Sequence, residues 1–299
     1  MKIIQWFSFL VLISALPAAD GAKPGILLMF WNVENYFAPG KDASHNLTPS
    51  RFRAKSAGIA KTIFLVSDAF GRLPDLVGLA EVGDAGVLRR LTGGTALRRR
   101  GYSFIHYDSP DRRGIDCALL YRNDRLRCLF SKPCHIPDGG GSILPTRDIL
   151  LSLMEDALSG DTLAVLVNHH PSKIGTGSGM RRALAMERLF SLRDSLLSEG
   201  VSRIVAVGDF NDSIEPASGV EPAYSLREGT IKFQGRWEKI DGCQVLEGLS
   251  AREHIFDSPY LLEADKSHSG QKPRRTFIGP RYLGGLSDHL PIVLEIQNK

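Results

Sequence analysis

The run Ile204-Val205-Ala206-Val207-Gly208-Asp209-Phe210-Asn211-Asp212 constrains this chain more than any other stretch. Its first half is β-branched and small apolar residues, which predicts a buried strand. Its second half turns abruptly polar, with Asp209 and Asn211 spaced i, i+2, which predicts a loop mouth at the strand's end. Polar groups delivered at the end of a rigid apolar strand are the usual way a fold presents reactive atoms. The question is what else converges on that mouth.

The same pattern recurs along the chain. Ile26 to Trp31 is a continuous apolar strand ending at Asn32, and the segment from Asp75 through Leu76 to Ala80 ends at Glu81. Ile115 to Tyr121 is a strand reached through Asp111-Arg112-Arg113-Gly114, and Leu163 to Val167 runs into Asn168-His169-His170. Trp237-Glu238-Lys239-Ile240-Asp241 with Gln244-Val245-Leu246 predicts one further strand bearing a carboxylate. Ser287-Asp288-His289 precede the closing strand Ile292 to Ile296. Because these polar residues come before their strand, it should run antiparallel to the strands bearing Asn32 and Glu81. Two helices alternate with the strands. Thr48 reads as an N-cap with Pro49 in the first turn, and Phe52, Ile59, Ile63 and Val66 recur at helical spacing. The second helix covers Met180 to Leu197, with Leu184, Leu189, Leu192 and Leu196 as its buried stripe.

At 299 residues and 43% hydrophobic, the chain suits one large folded domain or two small ones. It shows no internal repeat or low-complexity run. Lys2, the apolar run Ile3 to Leu16 and the small residues around Pro17-Ala18-Ala19 have the order of a secretory signal peptide, and the run is short for a membrane span. The reading is a signal peptide over residues 1–22 and a catalytic domain over 23–299, secreted or periplasmic. Of the four cysteines, Cys128 and Cys134 are close enough in sequence for a short-loop disulfide in an exported protein, while Cys117 reads as a buried free thiol. No Cys or His spacing resembles a zinc site. Asn46-Leu47-Thr48 is a glycosylation sequon in a eukaryotic host only. The net charge of +4 is mild, but Arg89-Arg90, Arg98-Arg99-Arg100, Arg112-Arg113, Arg181-Arg182 and Arg274-Arg275 form clumps that suit a polyanion or a solvated surface.

The strand ends therefore supply Asn32, Glu81, His169, Asp209 with Asn211, Asp241, and Asp288 with His289. Carboxylates and amide oxygens without thiols are ligands for Mg²⁺ or Mn²⁺ rather than for zinc. Histidines beside carboxylates suit proton transfer or charge stabilisation. Only one of two adjacent strand residues faces a given side, so His170 reads as structural beside His169.

In this order, with Gly208-Asp209-Phe210-Asn211 and Ser287-Asp288-His289 as the most specific motifs, residues 26 to 296 closely resemble the endonuclease/exonuclease/phosphatase superfamily. That group includes apurinic nucleases, pancreatic-type deoxyribonuclease, neutral sphingomyelinases and inositol polyphosphate phosphatases. The resemblance implies a four-layer α/β/β/α sandwich of two mixed, mostly antiparallel sheets flanked by helices. It further implies that Glu81 is the principal Mg²⁺ ligand, with Asn32 and Asp288 completing or supporting the metal site. Asp209 would orient or deprotonate the attacking water, Asn211 would hold a phosphate oxygen, and His289, backed by Asp241, would contact the scissile phosphate. His169 falls where relatives place a phosphate-stabilising residue. The segment Arg252 to Asp257 is an alternative source of the aspartate assigned to Asp241. Asp116 and Arg113 have two readings, substrate-side contact or structure. The expected enzyme is a monomeric, secreted Mg²⁺-dependent phosphoesterase, first a nuclease. A phosphatase or phosphodiesterase on inositol or lipid headgroups, and a non-catalytic binding module of the same fold, are the alternatives.

Overall fold

The computed structural model describes residues 25–41, 47–223, 225 and 227–298. The signal peptide read over residues 1–22, the boundary at residue 23 and Asn46 of the sequon lie outside the described residues. Strand β1 (Ile26–Tyr36) is followed by helix α1 (Pro49–Phe70), β2 (Leu76–Val82), α2 (Ala85–Gly94), β3 (Tyr102–His106), β4 (Asp116–Arg122), β5 (Leu126–Cys134), β6 (Ile149–Asp156), β7 (Thr162–His169), α3 (Ser178–Ser198) and β8 (Ile204–Asp209). Then come β9 (Val220–Pro222), the hairpin of β10 (Ile231–Phe233) with β11 (Arg236–Glu238), β12 (Asp241–Glu247), β13 (Leu249–Ile255) and the closing strand Ile292–Asn298. Two of the expected elements differ in detail. The strand read from Trp237 onward is broken between β11 and β12, and in α3 the buried stripe uses Ala185 in place of the half-buried Leu184.

Two sheets carry the fold. The larger has the order β3-β4-β2-β1-closing strand-β13-β9, and the smaller the order β12-β8-β7-β6-β5. Most pairings are antiparallel, but β1 with β2, β7 with β8 and β9 with β13 are parallel. The closing strand is antiparallel to β1, as the order of its polar residues required. Because alternate residues of a strand face opposite sides, β1 is apolar on both faces. Leu28 and Phe30 point into the layer between the sheets, where they join Val165, Val167, Val205 and Val207 of the smaller sheet. Leu27, Met29 and Trp31 point outward to Phe52, Ile59, Ile63 and Val66 of α1. On the far side, Leu189, Leu192 and Leu196 of α3 cover Ala164, Leu166 and Ala206. These are the four layers of the α/β/β/α sandwich.

Local chemistry sets the helix ends. The Thr48 hydroxyl accepts a hydrogen bond from Arg51 N at 3.3 Å, Pro49 sits in the first turn, and Gly71 ends α1 in the left-handed conformation at φ 69°. Among the described residues no helix is long and apolar enough to cross a membrane.

Cys128 and Cys134 do not form a disulfide; all four cysteines are free. Both lie on strand β5, and six residues of extended chain separate them by roughly 20 Å, far beyond a disulfide's reach. Cys117, Cys134 and Cys243 are buried, and burial raises their thiol pKa, whereas Cys128 is half-buried. Alkylation of the native protein should therefore label Cys128 first, and unfolding without reductant should expose all four thiols, as read by intact mass. Two permanently unlabelled cysteines would contradict the structure.

Candidate active site

The site forms where the carboxyl ends of β1, β2, β7 and β8 meet the start of β12 and of the closing strand. Register does most of the assembly. In the smaller sheet Asp241 pairs with Asp209, and His169 pairs with Asp209 from the other side, so the three stand in one row across β12, β8 and β7. The larger sheet contributes Asn32 at its bulged strand and His289 just before its closing strand.

Asp209 is the hub. Its Oδ2 accepts a hydrogen bond from Asn32 Nδ2 at 3.0 Å and lies 3.6 Å from His169 Nε2 and 3.8 Å from His289 Nε2. Its Oδ1 accepts from the backbone N of Asn211 at 3.0 Å. The other ring nitrogen of His289 meets Asp241 Oδ2 at 2.8 Å, and that oxygen also accepts the hydroxyl of Thr230 at 2.5 Å. The aspartate behind His289 is thus Asp241, not a residue of the segment Arg252 to Asp257. Asn211 donates its side-chain amide to His170 O at 3.0 Å. Three contacts hold the Ser-Asp-His turn: Ser287 Oγ donates to Asn32 O at 2.6 Å, His289 N donates to Ser287 Oγ at 3.0 Å, and Trp31 Nε1 donates to His289 O at 2.9 Å.

Burial and charge set the protonation states. Burial, reinforced by the neighbouring Asp241 carboxylate, pushes Asp209 up to about 7, the range of a general base working near neutrality. Burial alone would lower His289, but Asp241 and Asp209 outweigh it and hold the imidazolium well above the usual histidine range. His169 goes the other way: burial, with Arg147 and Arg113 nearby, keeps it neutral.

The second half of the site is an acidic edge. Strand β1 bulges between Asn32 and Tyr36 opposite the single residue Glu81 of β2. Glu34, Asn35 and Glu81 adopt positive φ of 45°, 51° and 64°, and Asn211 adopts 51°. They are four of only five such non-glycine residues among the described residues, so the backbone strain, on the order of 1–3 kcal/mol each, is concentrated here. Asn35 N donates to Glu81 Oε2 at 2.8 Å and fixes that carboxylate. Asp288 is partly exposed and pairs with Arg275 at 2.9 Å. Asn32 spends its Oδ1 on Glu34 N at 2.9 Å and its Nδ2 on Asp209, so it ties the acidic edge to the hub.

Sequence reasoning missed several of these residues. Glu34 is buried and accepts Thr276 N at 2.6 Å while facing Arg275 at 3.4 Å. Lys55 of α1 is fully enclosed, donating to Glu34 O and Thr276 Oγ1, both at 2.5 Å, and to Leu286 O at 3.0 Å. Burial brings its amine down to about 8. Arg147 links the loop carboxylate of Asp111 (3.1 Å) to His170 O (2.5 Å), the carbonyl that Asn211 also uses. The one legible signal was a lysine at position 55, on the face of α1 otherwise read as apolar. Asp116, left with two readings, accepts Ser109 N at 2.9 Å and contacts His106 at 3.2 Å, a structural role.

The donor set tests well against a hard divalent cation. Glu81, Asp288 and Asn32 are oxygen donors of the kind such a cation takes, and Lys55 and Arg275 feel the charges of both Glu81 and Asp288; within the row, ligand atoms of Asp209, Asp241 and His289 stand within 4.8 Å of one another. A family model described as the endonuclease/exonuclease/phosphatase family matches residues 30–222 and 218–298. The chain belongs to that family. It is therefore a phosphoric ester hydrolase. A search of curated proteins found no significant match. Among solved structures, the fold matches a functionally unknown conserved protein from Enterococcus faecalis with TM-score 0.61 and 14% identity, over 92% of this chain and 100% of that one. A family member from Bacteroides vulgatus matches with TM-score 0.59 and 19% identity, over 93% and 100%. A mannosyl-6-phosphatase from Bacteroides thetaiotaomicron matches with TM-score 0.58 and 15% identity, over 91% and 99%.

The His289 charge state is open to direct measurement. Replacing Asp241 with Asn removes the anion that sustains the imidazolium, so the NMR titration midpoint of His289 should fall by about one pH unit or more. An unchanged midpoint would mean that Asp241 does not control it.

Proposed function

We propose that the protein is an exported, Mg²⁺-dependent phosphodiesterase whose substrate is nucleic acid. The observation that carries the substrate class is the placement of three arginine pairs around the catalytic row. Arg112-Arg113 lies close enough for Arg113 to depress His169. Arg182 of Arg181-Arg182 reaches Asp212, beside Asn211, at 3.1 Å. Arg275 of Arg274-Arg275 holds Asp288. Three arginine pairs beside a single reactive centre fit an extended phosphate backbone better than one isolated monoester. Export rests on the pattern of residues 1–22, with periplasm or medium as the destination.

In this reading Asp209 accepts the proton of the attacking water; an acid tuned to about 7 is half available at neutral pH. The imidazolium of His289 places its Nε2–H on the phosphate, where negative charge accumulates, and Asp241 keeps it charged and aimed. Neutral His169 and the second amide proton of Asn211 complete the hydrogen-bonding wall. Glu81 and Asp288, with Asn32 in support, would hold the cation, which supplies charge neutralisation at the phosphoryl oxygens.

Asp209→Asn and His289→Ala should each lower hydrolysis by about 10²-fold or more, roughly 2.7 kcal/mol of barrier, with circular dichroism unchanged. Nicking of plasmid DNA should require Mg²⁺, stop with EDTA and weaken steeply with salt. Intact DNA alongside phosphate release from sugar or inositol phosphates would replace the nuclease reading with the kind of activity named for the Bacteroides thetaiotaomicron neighbour.

A further inference from the structure

One arginine clump takes no part in the site. Arg98, Arg99 and Arg100 follow α2 in a single exposed turn and border an open groove between α1 and α2. The groove has a volume of about 670 Å³, within the range of small-molecule sites. Phe52, Ala57, Ala60 and Phe64 of α1 give it an apolar lining, and Arg53, Lys61 and Arg90 stand on its walls. No aspartate or glutamate lines either the groove or its extension along Arg98 to Arg100.

Charge is balanced differently here than beside the catalytic row, where Arg113, Arg182 and Arg275 each have a carboxylate within ion-pair distance. Among the described residues Arg53, Lys61, Arg90 and Arg98 to Arg100 have none. Instead Arg90 lies over the Phe52 ring at 5.5 Å and Arg100 over the Phe64 ring at 5.4 Å, the same rings that line the groove. Uncompensated cations around apolar surface complement a molecule that joins an anionic group to a hydrocarbon tail. A nucleic-acid backbone would use the cations and leave the apolar cavity unfilled.

We propose that the groove between α1 and α2 binds an anionic phospholipid, seating an acyl chain against exposed Ala57 and half-buried Phe64 and its phosphate against the arginine rim. This site is separate from the catalytic row and independent of which phosphoester the enzyme cleaves.

Co-sedimentation of the full chain with vesicles of phosphatidylglycerol in phosphatidylcholine, against phosphatidylcholine alone, tests it. Binding should require phosphatidylglycerol. The triple variant Arg98→Glu, Arg99→Glu, Arg100→Glu should weaken it about tenfold or more. Ala57→Trp, which fills the groove from an exposed helix position, should weaken it about threefold or more. The apolar residues 3–16 are the same in every variant, so binding through them would survive both changes, and that result would overturn the proposal. Loss with the triple variant but not with Ala57→Trp would reduce the site to surface adsorption and overturn it too. Vesicle binding intact while duplex DNA binding is lost in the triple variant would assign the rim to nucleic acid. A parental dimer disrupted by Ala57→Trp, without vesicle binding, would assign the groove to a second copy. Either of these results would also overturn it.

Discussion

Two buried carboxylates stand next to each other across a β-ladder, Asp209 on β8 and Asp241 on β12, and the rest of the site is arranged around making that tolerable. Like charges at such range in a dry interior are costly. The structure resolves the conflict by dividing roles. Asp241 Oδ2 is taken up by the His289 ring and the Thr230 hydroxyl, and Asp209 moves toward neutrality, with its proton affinity raised into the working range. The same pairing that would destabilise a random site therefore raises the proton affinity of Asp209 on one side and favours the imidazolium of His289 on the other.

The acidic edge follows a related logic. Glu34, Glu81 and Asp288 gather three carboxyl groups on one edge, and Lys55 and Arg275 bring positive charge against them. Lys55 makes three hydrogen bonds from a fully buried ammonium, an arrangement that persists only if every partner is in place. Its donors reach Glu34 O, Thr276 and Leu286, so helix α1, the bulge of β1 and the loop before the closing strand are pinned to one point. The left-handed backbone is held at Glu34 by this clamp and at Asn35 and Glu81 by the hydrogen bond from Asn35 N to Glu81 Oε2.

Much of this was legible in the residue order. Continuous apolar runs announced β1, β2, β7 and β8 because parallel strands buried on both faces leave no alternation to confuse the reading. The polar residue that ended each run named Asn32, Glu81, His169 and Asp209, and the inverted order before the closing strand gave its direction. What stayed hidden depends on contacts between distant segments. Glu34 and Arg275 are 241 positions apart and look like ordinary surface charges until the larger sheet closes. Arg147 and Thr230 sit in segments with no periodicity. The disulfide reading failed for a simpler reason: six residues are near in a loop but far apart along a strand, and β5, alternating exposed and half-buried residues at a sheet edge, carries too weak an apolar pattern to be seen.

The position of the closing strand has a consequence for when the enzyme becomes active. Residues 292–298 do not decorate an edge; they lie between β1 and β13, in the interior of the seven-stranded sheet, and Asp288 and His289 are positioned only once that strand is inserted. No partial chain lacking it holds the imidazolium against Asp241. Hydrolytic competence therefore depends on the interior of the larger sheet being complete, because the turn that carries Asp288 and His289 is anchored by the strand that fills it.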